Sequence, residues 1–293
     1  MTAGVAPSLS PVRVIAPPSL LRRIGRQPGA AIGAVVLLLF VVAAIFAPLI
    51  TGHDPTLLDP LARMKPPTGD HLFGTDRLGR DIFSRTIYSA RISLSVASAT
   101  TVLALLAGAA LGMIAGYVRA FDALIMRIMD GVNAIPAVLL GIALMVLSGG
   151  AWITLVIAIA LPKTPAVVRL IRSVVLTVRE EPYIEAAIAL GTSTPRILAR
   201  HVLRNVIAPM IVIGSYVAAS AIMAEAMLSF LGAGTPPEIP SWGNMITENR
   251  AVFQIAPWGV FFPSIFLGVA VWSVNLVGDG LRDMLDPRLA KGL

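Results

Sequence analysis

The chain contains no cysteine, three histidines and only 13% charged residues among its 293. The missing cysteine excludes a disulfide framework and any thiolate metal site, and it leaves no mark of redox compartment. The lysines are Lys65, Lys163 and Lys291, and none follows a G-x-x-x-x-G-K-[ST] phosphate loop, so ATP hydrolysis by that route is excluded. His53, His71 and His201 are scattered and give no zinc cluster. No Ser-His-Asp or paired-carboxylate arrangement stands out in the apolar runs. The chain is read as non-catalytic, with no metal and no cofactor of its own.

What fills the sequence instead is apolar. Hydrophobic residues make up 56% and mean hydropathy is +0.83, a composition of polytopic membrane proteins rather than soluble domains. A helix crosses the hydrocarbon core in about 20 residues. Six stretches qualify: 30–50, Ser93 to Tyr117, 132–148, 151–170, 206–231 and 258–278. The fold class is therefore an all-α membrane protein with six transmembrane helices. The division follows: an N-terminal tail (1–28), a first transmembrane helix (29–50), a loop (51–92), a transmembrane domain (93–280) that includes the polar segment 182–205, and a C-terminal tail (281–293). Pro162 and Pro165 should kink or end the fourth span early. The first apolar run exceeds the roughly 7–15 residues of a signal-peptide core and no A-x-A site follows it, so it is read as retained. Residues 1–20, rich in Pro, Ser and Ala, are read as disordered.

Orientation follows from Lys and Arg. With both termini in the cytoplasm, the inner segments (1–28, 118–131, Lys163 to Asn205, 279–293) hold 16 of the 23 basic residues, and the outer segments hold seven, balanced by seven acids. The net charge of +7 thus reflects cytoplasmic loops, and no nucleic-acid partner is expected.

Segment 182–205 reads as two short cytoplasmic helices. Pro182 suits a first turn, and Glu180, Glu181 and Glu185 complement the positive end of a helix dipole. Ala186, Ala187, Ala189 and Leu190 favour helix, and Gly191 fits a left-handed stop. Thr194-Pro195 should start the second helix. Ile184, Ala187 and Ile188 form a small apolar face, which packs either on the chain's own span ends or on another protein. Arg196, Arg200 and Arg204 share one helix face, explained equally by anionic headgroups and by a protein partner.

The pattern E-A-A-x-x-x-G, carried by Glu185, Ala186, Ala187 and Gly191, resembles the signature of the membrane subunits of bacterial binding-protein-dependent ABC importers. Three further blocks, FGTDRLGRDIFSRTIYSARISLSVA (73–97), AEAMLSFLGAGTPPEIPSWGNMI (224–246) and NLVGDGLRDMLDPR (275–288), are similar to the smaller permease of di- and oligopeptide importers. The resemblance implies a type I importer permease fold, in which this loop forms a coupling helix. It implies as partners a second permease subunit in a heterodimer, one or two ATP-binding subunits that hold ATP and Mg, an external substrate-binding protein and membrane lipid. It makes Ile184, Glu185, Ala186, Ala187, Ile188 and Gly191 the ATPase-coupling residues, in a multi-pass protein of the inner membrane. The family's pattern continues I-x-L-P; here those positions hold His201, Val202, Leu203 and Arg204. The histidine is similar to the peptide branch, and Arg204 departs from the proline. Nickel importers share much of this motif set and remain an alternative.

Other polar groups carry two readings each. The outer-loop ions Asp76, Arg77, Arg80 and Asp81 are expected to pair with one another rather than bind substrate. Pro236, Pro237, Pro240 and Trp242 should fold an outer loop and anchor an aromatic at the interface. Asp279, Arg282, Asp283 and Arg288 should form a solvated inner surface. Glu225 lies inside the apolar fifth span and is the candidate pathway residue; a structural hydrogen bond is the favoured alternative. A self-sufficient ion-coupled transporter should show repeats or several midplane ionisable residues, and neither is evident. The small-residue run 107–112 should let the second span pack closely on a neighbour.

Overall fold

The computed structural model describes residues 27–285; the tail 1–26 and Arg288 lie outside the described residues. Five helices are long and apolar enough to cross a membrane, or six if one sharply bent pair is a single span. No strand occurs among the described residues.

Helix α1 (Pro28–Ile45) starts on a proline, whose missing N–H is an orphan in a first turn anyway. The expected first span to residue 50 breaks at Phe46, and a separate turn, α2 (Ala47–Ile50), follows. Pro48 explains the break: it offers no N–H to the Ala44 carbonyl. Arg91 of the next helix takes that carbonyl through Nε, and donates to the Ile45 carbonyl at 2.9 Å through Nη2.

Helix α3 (Ile82–Tyr117) begins eleven residues before the Ser93 expected from hydropathy. Its first turns (IFSRTIYSARIS) are too polar for an apolar-run criterion. The Asp81 side chain caps this start, accepting the Ser84 N–H at 2.7 Å, and Thr86 and Ser89 satisfy their buried hydroxyls on the carbonyls of Ile82 and Arg85.

The third expected span, 132–148, is instead the end of a bent pair, α4 (Arg119–Ala134) and α5 (Ala137–Ser148), meeting at 86°. Ile135 precedes Pro136, and that proline forces it out of the helical region. Arg172 holds Asp122 of α4 through two bonds of 2.5 and 2.6 Å, and Arg169 reaches Asp130 at 2.9 Å. Helix α6 (Trp152–Val178) corrects another expectation: it runs unbroken through Pro162 and Pro165 to Val178. Lys163, Arg169 and Arg172 therefore lie on this helix and not in a loop, so three of the basic residues counted for the inner loops belong to α6.

Helix α7 (Pro182–Ala189) and helix α8 (Thr194–Ile197) follow. The second short helix is not a separate element. It continues through a π-helical turn, Leu198–Val202, into α9 (Leu203–Phe230), giving one 37-residue helix from Thr194. Arg204 lies in the first turn of α9, and that helix also runs unbroken through Pro209. Helix α10 (Trp242–Asn249) lies in the last long loop, and α11 (Trp258–Leu285) ends the described chain, extending past the expected end at 278.

The most extensive helix–helix packing is α3 against α6. A Cβ on Gly108 would lie 2.5 Å from the side chain of Val167; on Gly112, 2.7 Å from Ile171 Cβ; on Gly116, 2.7 Å from Val175 Cβ. Three glycines four residues apart therefore receive three β-branched residues four apart, the close approach that small residues permit between membrane helices. The expected partner of run 107–112 is thus within the same chain.

Adding one methyl at Gly112 must displace Ile171 or the Val168 carbonyl. The Gly112→Ala variant should lose about 1–3 kcal/mol and Gly112→Leu should not accumulate as folded protein. Ile171→Ala added to Gly112→Ala should recover part of that loss. Thermal unfolding of the purified detergent-solubilised chain, read as a double-mutant cycle, measures it; independent additive losses would refute the seam.

Candidate functional site: a short helix between two long ones

Segment 179–203 joins α6 to α9, and α7 is its exposed element. Pro182 opens α7 and Glu185 sits in its first turn, exposed. The stop is a Schellman motif: Gly191 N–H donates to the Ile188 carbonyl at 2.8 Å and Thr192 N–H to the Ala187 carbonyl at 3.0 Å, with Gly191 at φ +77°. The expectation of a left-handed glycine stop is met in detail.

The apolar face expected on this helix divides in two. Ile184 is fully buried and packs into a cluster with Val178, Ile197, Val202 and Val206, and Ala187 is buried as well. They are thus closed to a partner and fasten α7 to the chain's own helix ends. Ile188 is 52% exposed and Leu190 86%. With Tyr183, Ala186 and Glu185, these form the outward surface. Leu190 and Tyr183 were missed as surface residues because they lie off the expected stripe. Asn205 of α9 donates to the Tyr183 hydroxyl at 3.2 Å and to the His201 carbonyl at 2.8 Å. Arg179 Nη1 donates to the Gly116 carbonyl of α3 at 3.2 Å. The segment is therefore fixed to α3, α6 and α9 together. Arg196, Arg200 and Arg204 are exposed along the base of the α8–α9 helix.

Glu225 is enclosed. Its carboxylate accepts from Ser93 of α3 at 3.1 Å and from Ser229 at 2.9 Å, and no part of it is exposed. These are hydrogen bonds of the kind the structural alternative expects. The apolar groove between α5, α6 and α9, about 540 Å³, is lined by Val138, Pro162, Lys163, Ser220, Met223 and Met227, among others.

At the opposite end, residues 51–81 and α10 form a cap. Arg80 pairs with Asp76 at 2.6 Å as expected, yet it also pairs with Glu248, which binds Arg85 at 3.1 Å. Sequence reasoning missed Glu248 and Arg85, since 163 residues separate them. Among the described residues Asp81 pairs with no arginine. Its Oδ2 caps α3 and its Oδ1 meets His71 Nδ1 at 3.0 Å. His53 stacks beside His71 with ring centroids 4.9 Å apart. Two of the three histidines are therefore neighbours, and together with Asp81 they could hold a metal ion, which corrects the scattered reading. Both oxygens of Asp81 already have protein partners. Trp242 corrects a further expectation: it is fully buried, donates to the Thr86 carbonyl at 3.1 Å and meets Phe40 edge to face at 5.7 Å. Asp279, Arg282 and Asp283 are exposed, as expected.

Arg85 has 1% of its side chain exposed, and its Nε finds no acceptor. Its charge therefore depends on Glu248. Glu248→Ala should destabilise the chain by about 3–5 kcal/mol, the usual cost of stranding a buried charge, whereas Glu248→Ala combined with Arg85→Met should cost less. Detergent-phase unfolding of the four proteins of this cycle decides it, and a double variant worse than the single would refute the dependence.

Residues 108–291 match the family described as binding-protein-dependent transport system inner membrane component. Residues 19–67 match the N-terminal TM domain of oligopeptide transport permease C. A probable peptide ABC transporter permease of Sinorhizobium fredii is 52% identical over 270 residues, covering 92% of both chains. The dipeptide transport system permease of Alkalihalophilus pseudofirmus is 42% identical, and the oligopeptide transport system permease of Bacillus subtilis 39%; each comparison covers 89% of this chain and 86% of the relative. With the family matched over most of the chain, this protein belongs to the inner-membrane permeases of binding-protein-dependent ABC transport systems.

Proposed function

We propose that this chain is one of two permease subunits forming the translocation pathway of an ATP-driven importer of di- or oligopeptides. It binds no nucleotide itself. ATP and Mg sit on partner ATP-binding subunits, which close on residues 182–205, and an external binding protein delivers cargo to the opposite face. The named relatives support peptide cargo, as does the N-terminal match to an oligopeptide permease; no specific observation favours nickel.

The observation that carries the docking role is the divided face of α7. Ile184 anchors the helix inside the chain while Ile188 and Leu190 stand exposed beside it. An exposed pair of large aliphatics on a short polar connector is costly in water and is relieved by a protein groove. The inward anchor makes the helix a lever: force applied at Ile188 and Leu190 passes through Ile184 to α6 and α9 rather than bending a loose loop. The excess of Lys and Arg supports a cytoplasmic position for this segment.

Gly191→Val puts a β-branched residue at φ +77° in open space, so the strain is conformational and not steric against neighbours. Peptide uptake and binding-protein-stimulated ATP hydrolysis by the reconstituted complex should fall together by roughly tenfold or more, while the variant still inserts. Normal uptake by a stably expressed Gly191→Val complex would refute the docking role.

Sidedness is tested separately. The chain has no cysteine, so a cysteine at exposed Ala189 should resist an impermeant thiol reagent in intact cells. It should react in inverted vesicles stripped of ATPase, and slow when the ATPase is returned. A cysteine at exposed Glu238 should show the opposite sidedness. Labelling of position 189 from outside would overturn the topology.

A further inference from the structure

Lys163 is the one charged residue among those lining the groove between α5, α6 and α9. It lies on α6 between Trp152 and the exposed Arg169, roughly 9 Å of helix short of that arginine. Among the described residues it makes no salt bridge, and no side-chain hydrogen bond of its ammonium occurs. Ser220, the other polar side chain of the groove, donates to the Val217 carbonyl at 2.9 Å. An ammonium on an apolar wall is costly unless it faces water or an anion. The rest of the lining is soft. Met223 and Met227 are about half exposed, and methionine adapts to side chains of varied shape.

We propose that Lys163 faces the translocation pathway and binds the C-terminal carboxylate of a passing peptide, while the methionine-lined wall accommodates its variable side chains. The proposal rests on the peptide-importer reading above. Charge complementarity selects the occupant: a peptide's side chains vary, but its terminal carboxylate is constant, and a point-charge ammonium is suited to pairing with it and releasing it. Two other occupants are a carboxylate of the second permease subunit and lipid tails with no anion at all.

The test uses the complete importer, with both permeases, ATPases and binding protein, in proteoliposomes. Partner subunits are made cysteine-free, and the probe is a labelled library of di- to pentapeptides with free carboxyl termini. Uptake by the unaltered complex is measured first; failure there would refute the importer reading and not this one. Lys163→Cys and Lys163→Met should lower initial uptake roughly tenfold or more, and Lys163→Arg should retain most of it. Modifying the single thiol of the Lys163→Cys variant with an aminoethyl thiosulfonate, which restores a cation, should recover uptake; a neutral propyl thiosulfonate should not. Peptide-loaded binding protein with ATP should slow that modification. Loss of complex assembly in Lys163→Met would assign the lysine to the second permease and overturn the proposal. Undiminished uptake, recovery by the neutral reagent, or no protection during turnover would overturn it as well.

Discussion

The close approach of α3 and α6 governs the architecture. Hydrophobicity cannot hold two helices together in lipid, because the tails are as apolar as the side chains; tight van der Waals contact must do it. Gly108, Gly112 and Gly116 remove the side chains that would keep the backbones apart, and Val167, Ile171 and Val175 fill the space with rotamer-restricted branches. The seam continues beyond the last glycine. Val178 ends α6 within the same buried cluster as Ile184 and Ile197, and Arg179 bonds the Gly116 carbonyl. The packing that pins α6 to α3 therefore also fixes where the short helix α7 leaves the bundle. A docking element with no such fixed base would absorb a push as local bending, and none of it would reach α9.

The opposite end is held by charge rather than by shape. Arg80, Arg85, Asp76 and Glu248 come from the first long loop, the start of α3 and α10. Removing ions from water is expensive, and their mutual attraction recovers that cost only when geometry satisfies them. The cap is accordingly weak evidence for stability but strong evidence for register. It joins α3 to α10, and Trp242 repeats the junction through the Thr86 carbonyl. Two unlike devices, a seam of glycines and a cluster of ions, fix the two ends of the same helix.

What was legible in the sequence was whatever depends on neighbours along the chain. Hydropathy located five spans, Pro182 and Gly191 bounded α7, and the E-A-A-x-x-x-G residues gave the family. The polar first turns of α3 look like loop until their hydroxyls are paired with carbonyls four residues back. Ile135-Pro136 breaks an otherwise apolar run that length alone would accept, while Pro162 and Pro165 leave a helix intact that propensity alone would end. The first two are local effects that a hydropathy window averages away, an Asp81 cap with hydroxyl bonds four residues back and a proline acting on the residue before it. Glu248 and Arg85, like His53 and His71, meet only through the fold. The division of the α7 face between Ile184 and Ile188 was likewise invisible, because periodicity defines a stripe without saying what lies beneath it.

Polar groups inside the apolar body can be sorted by what satisfies them. Glu225 has Ser93 and Ser229, Arg85 has Glu248, and Ser89 and Thr86 have carbonyls of their own helix. These groups are enclosed and mostly paired, so their service is to the fold, and a change in cargo would leave them untouched. An enclosed pair also explains why an acid can sit in the fifth span without marking a conduit. Lys163 belongs to neither category: it is charged, only half-buried, and faces a groove whose other walls offer it no counter-charge. A transport protein has to release what it binds. A fully satisfied buried pair has no free energy to gain from a passing solute, whereas an ammonium whose only stabilisation comes from water and transient anions does. The physical asymmetry between Glu225 and Lys163 separates an enclosed, hydrogen-bonded group from one open to a groove, where hydropathy, which scores both simply as interruptions, does not.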